Sequence, residues 1–581
     1  MKQLKIITLF TLALGLSARA LWAGPSSNVW TVGPGQDYAG IGQALAALAA
    51  QVGSAPFSVS ETVLVYGGTY SEAVQVNGLS PSFAHPLYIQ AAPGNQPVLD
   101  GGSSLAEGIH VLGVPCVYVS GLTLRGYTSN GLHFQDSAGC FAGLNTFQGV
   151  SGADLFFDNS PQGQALGNQQ DQASPGATGL LAQGSPGLWA QYNSFPGETQ
   201  GFSLSGSPGS LLSHNQADSS SLAFSLQDSG GCTLDANASG SPGGNRGLQI
   251  SNSPACLATN NLAWGQNVGV DLEGSSACAV DCNTLWDLGT ALVAGQGSTQ
   301  ALVFDNILQG NTALDVDTAS QAGFASDYND LQTSLNILVA WGGSAYSDLY
   351  SWQGAAGQDT HSLSQDPSFA RSGGSQPRDF ALGAASPLSG TGVNLSPLFS
   401  QDYFLNGRPA QPAAWDIGFD AVSGSQSTPS STPTPAPSWT FSMTPTQTPT
   451  PLPPQYYSPT VTPSVTATPT RTATPSATPT YAFTPIAPVA GQLTSYPNPY
   501  RMSQGGLVTF VFEPSSGVSI DVYDASGYRV AAVPGQDIDE RTGFARWNGR
   551  NFAGEELPSG LYFAVLRAPG REQETRMTLL R

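Results

Sequence analysis

The sequence predicts an all-β solenoid, and three regularities predict it. Asn145, Asn168, Asn193, Asn215, Asn237, Asn261, Asn283, Asn306 and Asn329 recur at intervals of 22 to 25 residues, with Gly121 in the slot ahead of the first. Eight residues before each of the first eight stands a serine, from Ser137 to Ser298. Fourteen residues before, a glycine often opens a short apolar strand, as in Gly131-Leu132-His133-Phe134 and Gly247-Leu248-Gln249-Ile250. A period near 23 with strand-length apolar runs, Gly/Asn/Ser corners and no helical spacing describes coils of short strands stacked on one another. One coil cannot bury its inner face alone, so the stack is the fold.

The asparagines read first as structural. Identical residues in successive coils lie ~4.8 Å apart, where amides hydrogen-bond to one another and to the turn backbone. Asparagine also tolerates the left-handed backbone of a tight corner. Nine residues ahead of each rung stand Asp136, Asn159, Gly184, Gly206, Asp228, Asn252, Gly274 and Gly297, a residue set that accepts positive φ, so Asp136 and Asp228 are read as turn formers.

The chain opens with Lys2 and Lys5, an apolar run from Ile6 to Leu16 and a small-residue site at Ala18-Arg19-Ala20, the pattern of a secretory signal peptide over residues 1–23. The run is too short to span a bilayer, and no later stretch is long and apolar enough to do so. The reading is an exported protein, secreted or at the cell surface. Composition divides the remainder into a Gly/Ser/Asn-rich body (24–424), a Pro/Thr-rich spacer (425–489) and a C-terminal module (490–581). The body carries 5 arginines, no lysine and 29 acidic residues, a net of about −24. Such a surface repels nucleic acid and anionic lipid and gives polyanionic substrates little to hold, leaving neutral glycans, cations or proteins as partners.

At the front of the body, Ile41, Leu45 and Leu48 fall at helical spacing between Tyr38 and Gln51, the expected cap over the first coil; Val63 to Val76 and Leu87 to Leu99 are early coils. Cys116, Cys140, Cys232, Cys256 and Cys278 share a slot five residues before the ladder position, an expected inward column, with only Cys282 outside it. Their spacing does not suit zinc. Buried thiols and a Cys116–Cys140 bridge both remain open. Beyond Asn329 the repeat decays into an aromatic-rich stretch, to about Ala421, that is expected to close the far end. The spacer, at ~3.1 Å per residue in polyproline conformation, separates the folded parts.

With Thr62-Val63-Leu64-Val65-Tyr66-Gly67-Gly68-Thr69-Tyr70, Pro97-Val98-Leu99-Asp100-Gly101 and Asp416-Ile417-Gly418 added, residues 28–421 resemble the right-handed parallel β-helix proteins of the pectin-lyase-like superfamily. The resemblance implies the fold; it does not fix a function, since that fold hosts lyases, hydrolases, adhesins and proteins without chemistry. The Asn-Thr-Asp, Gly-His-Gly and Arg-Ile-Lys signatures of polygalacturonase-type members are absent. In the C-terminal module, Leu507–Glu513, Val518–Tyr523, Phe544–Trp547 and Leu561–Leu566 read as strands of a small Ig-like sandwich. Tyr496-Pro497-Asn498-Pro499-Tyr500, Ile520-Asp521-Val522-Tyr523-Asp524 and Ser559-Gly560-Leu561-Tyr562 make it similar to the Ig-like domain of flagellar hook-capping proteins and the sorting domains of type IX secretion, which implies a role with the export machinery.

Candidate site residues follow from the rung spacing. Asp235 and Asp281 each precede a rung by two residues and lie two coils apart, about 9.6 Å of rise, at the upper edge of the carboxylate separation for inverting glycoside hydrolysis; Arg246 lies nearby in sequence. Asp271 and Glu273 share an exposed strand and form a candidate Ca²⁺ site. Trp264 and Trp286 each follow a rung by three residues and should stack as a platform for the apolar faces of sugar rings. Two functions remain: a rigid rod that binds a neutral glycan or surface component, and a polysaccharide-cleaving enzyme of the β-helix type.

Overall fold

Strand segments, most of them three to six residues long and ended by a tight corner, wind the chain into a parallel β-solenoid of about 12 turns. The computed structural model describes residues 28–422, apart from 175, 372, 397, 400 and 410–412, and most of residues 493–580. The expected signal peptide and Pro/Thr-rich spacer lie outside the described residues. The described chain forms two compact units, the solenoid and the C-terminal module. No helix among the described residues is long and apolar enough to cross a membrane.

Three columns of parallel strands form the walls. Sheet 1 has 13 strands, from Asn28–Val32 to Ala325–Asp327. Sheet 2 carries the glycine-led strands, from Val74–Val76 through Asn130–Gln135 and Val268–Glu273 to Val339–Trp341. Sheet 3 runs from Thr69–Tyr70 to Gln169–Gln172 and continues through Ala238–Gly240 and Leu262–Trp264, until sheets 3 and 2 merge in the long strands Thr284–Gly295 and Ile307–Val316. Alternate residues face in, and successive coils stack like on like: Phe134 on Phe157 at 5.1 Å, Phe202 on Phe224 at 4.9 Å.

Two buried polar ladders hold the corners. Each ladder asparagine accepts at Oδ1 from the backbone N–H and the Nδ2 of the previous rung, as Asn168 does from Asn145 at 3.1 and 3.0 Å. Its own Nδ2 also donates to a carbonyl of the preceding coil, Asn168 to Ala142 O at 2.9 Å. Serines repeat the device: Ser137 N–H donates to Ser160 Oγ at 2.9 Å and Ser160 N–H to Ser185 Oγ at 2.9 Å, and so on to Ser320. Burial of these amides and hydroxyls is tolerated because their strong donors and acceptors are paired.

Asp136, Asn159, Asp228 and Asn252 have φ of 47 to 52°, so the expected turn column is left-handed. The asparagine corner differs from expectation: the left-handed residue is the one before the rung. Leu144, Tyr192, His214, Ala236, Asn260, Cys282, Asp305 and Tyr328 all have φ of 53 to 58°. Several are bulky and would avoid this region alone; the asparagine that follows fixes the corner with its hydrogen bonds. The column also begins one residue later than the spacing suggests, since Leu122 N–H donates to Asn145 Oδ1 and Gly121 takes the left-handed place at φ 72°.

The cysteine column needs the same correction. Cys140, Cys232, Cys256 and Cys278 occupy one inward slot, with Val117 and Ser210 in the same slot of other coils, but Cys116 lies one residue earlier, opposite Gly139 at a corner, with φ 54°. All six thiols are buried and free.

Helix α1 (Ile41–Val52) closes the front, burying Ile41, Ala44, Leu45 and Leu48, and the Glu72 carboxylate accepts from Ile41 N–H at 2.8 Å and Gly42 N–H at 3.1 Å. A carboxylate there satisfies free helix-end donors and complements the dipole. At the far end α2 (Leu349–Ala356) lays the fully buried Trp352 over the last coil. Trp341 and Tyr346 pack on Trp352 at 5.3 and 5.5 Å and help to close that end, but the stretch beyond does not. Residues 363–422 turn back along the flank, reaching Asn306, Asn283 and Asn261 coils through Gly418 N–H to Asp305 O (2.7 Å), Phe419 N–H to Thr284 Oγ1 (3.2 Å) and Arg408 to Asn260 Oδ1 (3.0 Å).

The C-terminal module contains the four expected strands and adds others. Thr494–Tyr496, Val508–Val511, Phe544–Trp547 and Ile538–Asp539 form one sheet; Tyr500–Arg501, Arg571–Leu580, Gly560–Ala568, Ser519–Asp524 and Arg529–Ala532 form the second. Phe510, Phe512, Ile520, Val522, Trp547, Leu566 and Met577 make their common core.

Candidate functional site

The outward residues of sheet 2 form continuous columns, and chemistry gathers on them in two places. In one column His110, His133 and Phe156 occupy successive coils. The rings stack face to face, His110 on His133 at 4.6 Å and 3°, His133 on Phe156 at 4.6 Å and 7°. Glu107, in the loop leading to the His110 strand, reaches both: Oε2 is 3.1 Å from His110 Nδ1 and Oε1 is 2.8 Å from His133 Nδ1. Asn130 Nδ2 donates to the same Oε1 at 2.8 Å. Those bonds, the one from His133 foremost, hold the Glu107 carboxyl below its ordinary range against the effect of burial.

The Glu107, His110 and His133 donor atoms lie within 4.8 Å of one another. Two imidazole nitrogens and a carboxylate suit a borderline divalent ion such as Zn²⁺ or Cu²⁺, and a carboxylate on Nδ1 also fixes the tautomer of an imidazole that handles protons at Nε2. The three groups already bond to each other, so a metal would compete with an intact triad. Sequence reasoning passed over this cluster. Its signal was available: His110 and His133 stand one period apart, which places them side by side.

Further along the same face, Arg246 pairs with Asp271 and lies 3.5 Å from Glu273 Oε1. Glu273 Oε2 accepts from Gln249 Nε2 at 3.1 Å and Ser251 Oγ at 2.9 Å. Burial pushes the Asp271 carboxyl up, and the guanidinium opposes it. Arg246 is therefore brought together with the two carboxylates of the calcium candidate, and a cation there meets a positive charge already in place.

Asp235, Thr259 and Asp281 do lie in register in successive coils of sheet 1. Asp235 Oδ1 accepts from Thr259 Oγ1 at 2.8 Å and Asn260 Nδ2 at 3.0 Å. Asp281 is 2 % exposed and accepts from Phe304 N–H at 3.3 Å; burial raises its carboxyl to about 7. The returning segment crosses here. Asn260 Nδ2 donates to Gln401 O at 3.2 Å, and the buried Arg408 guanidinium bonds Asn260 Oδ1, Gly418 O and Asp416 O. Arg246 is not part of this group.

Trp264 and Trp286 pair in register, as their spacing requires. The same segment covers them: Phe380 packs on Trp264 at 5.3 Å and Phe369 stands edge-on to Trp286 at 4.8 Å. Trp264 is buried with Ala238, Leu262 and Phe419. Each indole thus packs against an aromatic ring of this segment, tilted at Trp264 and edge-on at Trp286, instead of presenting an open platform.

A family model described as periplasmic copper-binding protein (NosD) matches residues 189–335, about a quarter of the chain. That span leaves out Glu107, His110 and His133. No curated protein is detectably similar in sequence. Among solved structures, PorZ, a surface component of the type-IX secretion system of Porphyromonas gingivalis, is 24% identical over 15% of this chain and 11% of its own, at a TM-score of 0.13. The PL6 family alginate lyase AlyGC is 12% identical over 58% of this chain and 57% of its own, at 0.35. Pectate lyase Pel9A is 13% identical over 68% and 96%, at 0.31. The chain thus spans well under two thirds of the first two structures.

Proposed function

We propose that the protein is exported and that its β-solenoid serves as a rigid rod that binds a neutral glycan or another cell-surface component, with the C-terminal module addressing it to the outer-membrane export machinery. The observation that carries this reading is the pair of unbroken corner ladders, which hold every coil from Ser137 to Asn329 in one register. Such a frame presents its outer columns at a fixed ~4.8 Å repeat, suited to a long, regular ligand. The acidic body and the periplasmic description of the matching family model agree with a neutral partner and with export.

Binding of the purified chain to a panel of neutral and acidic polysaccharides tests the rod; retention of no member removes the glycan partner. Deleting residues 490–581 should leave the solenoid folded and hold it in the periplasm, and unchanged surface or medium levels would remove the sorting role. A second reading, a glycan-cleaving enzyme, draws on the alignment of Asp235 and Asp281 two coils apart, with burial pushing the Asp281 carboxyl up to about 7, toward the range of a general acid. Cleavage of any panel member that is lost in both Asp235→Asn and Asp281→Asn would favour it over the rod.

A further inference from the structure

One coil breaks the pattern of its neighbours. At the corner between sheets 3 and 2, the second residue of the six-residue sheet 2 strands turns inward and is small in all but one: Gly131, Gly179, Gly201, Ala223, Gly247 and Gly269. The space is taken by the side chain 16 residues on. A Cβ at Gly131 would lie 2.7 Å from Phe147, one at Gly179 2.3 Å from Phe195, and one at Gly201 2.4 Å from Ala217. Between Gly131 and Gly179 the register places Asp154, directly after the aligned Ala153. Sixteen residues on from Asp154 stands Gln170, aligned with the inward Phe147.

A third polar group joins them. Glu198 arrives from the loop of the following coil, where its Oε1 accepts from Ser174 N–H at 3.4 Å, and its charge acts on Asp154. Asp154 and Glu198 are each 1 % exposed and Gln170 is 7 % exposed. Among the described residues, neither Asp154 oxygen, nor Glu198 Oε2, nor Gln170 Nε2 has a hydrogen-bond partner. Unpaired buried carboxylates are among the costliest groups a fold can hold, and here glycine is the residue the neighbouring coils use. Asp154 is not a packing choice.

We propose that Asp154, Glu198 and Gln170 form an interior site for one hard divalent cation, Ca²⁺ foremost. Two carboxylates balance its charge. A half-turn of the Gln170 amide, which leaves its shape unchanged, presents Oε1 as a third oxygen ligand. The donor set has no imidazole or thiolate, which disfavours zinc and copper, and calcium accepts irregular geometry where magnesium demands a regular octahedron. Without a cation, burial lifts Asp154 well above the usual carboxylate range and Glu198 to about 7, so binding near neutral pH displaces a proton. The bound ion would tie together three consecutive coils. This site is separate from Asp271 and Glu273 and does not depend on what the rod binds.

The test uses the full chain, stripped with EDTA and desalted, then titrated with CaCl₂ while thermal unfolding and bound calcium per chain are measured. The expected result is one calcium taken up per chain and a rise in the unfolding midpoint, equivalent to a shift of about 100-fold in the unfolding equilibrium when calcium stands at a hundred times its Kd. Asp154→Gly, which restores the column's own residue, and the isosteric Glu198→Gln should each abolish the response, while Asp271→Asn leaves it intact. No calcium uptake and no midpoint change in the wild-type chain would overturn the proposal, whether or not the variants fold. A response that survives Asp154→Gly or Glu198→Gln, or moves with Asp271→Asn instead, would overturn it equally.

Discussion

Replacing one rung isolates what the asparagine ladder contributes. Asn193 Oδ1 accepts from Asn168 N–H at 3.0 Å and Asn168 Nδ2 at 2.9 Å, and its Nδ2 donates to Ala165 O at 3.0 Å and Asn215 Oδ1 at 2.9 Å. In Asn193→Ala, Asn168 Nδ2 keeps Ala142 O and Asn215 Oδ1 keeps the Asn193 backbone N–H. The buried Asn168 N–H loses its partner and Ala165 O loses one bond. A stranded buried donor costs about 1–3 kcal/mol, and roughly 1 kcal/mol more follows from the weakened carbonyl, giving about 2–4 kcal/mol. Asn193→Asp should cost more at pH 7, because a carboxylate oxygen then faces Ala165 O and Asn215 Oδ1 where a donor stood. Urea unfolding followed by fluorescence gives the difference, with limited proteolysis mapping any opening to that coil, since solenoids need not unfold as one unit. Asn193→Ala within ~0.5 kcal/mol of wild type, or Asn193→Asp milder than alanine, would refute the account.

Three further outcomes are expected. Arg246→Ala should destabilise by about 1–3 kcal/mol by leaving the Asp271 carboxylate buried without its cation, and Asp271→Asn in the same chain should recover most of it in a double-mutant cycle. Asp281, with its folded pKa raised to about 7, makes the folded state the greater proton binder between about pH 4 and 7, so its contribution is greatest below that window and is lost as pH rises through it, on the order of 1 kcal/mol per pH unit. Asp281→Asn should flatten that slope in pH-dependent denaturation, and an unchanged slope would contradict the burial. Thiol titration without reductant should find none reactive in the native chain and six after unfolding, and Cys256→Ser should change stability by less than ~1 kcal/mol, since Ser210 fills the same slot.

The rungs were legible because each asparagine and serine side chain bonds the backbone of the adjacent coil, which forces the same residue to recur at the same place. The left-handed residue before each rung was not, because Leu144, Tyr192, Ala236 and Cys282 share no chemistry; the asparagine, not the residue's own preference, imposes the conformation. Spacing did align Asp235 with Asp281 and Trp264 with Trp286. It did not tell that residues 363–422, which have no period, fold back over those columns, so exposure was the part lost. The Glu107–His110–His133 cluster was hidden for another reason: one of its members comes from a loop, where coil length varies and periodic reasoning has no purchase.

The asparagine ladder also has a direction. Every rung N–H from Asn145 to Asn306, and one proton of each Nδ2, points toward the next rung, and every Oδ1 toward the one before, so the amide dipoles add along the stack with the positive end at Asn329. There the series stops on a buried carboxyl group: Asn329 Nδ2 donates to Asp359 Oδ1 at 3.1 Å, and Ser326 Oγ, Ser362 Oγ and Trp352 Nε1 donate to the same group at 2.6 to 2.9 Å. A second copy arriving end to end would find the last donors consumed and Trp352 lying across the open core. The column that lets one coil template the next thus carries its own terminator, which protects a structure made of parallel strands from growing into a fibre.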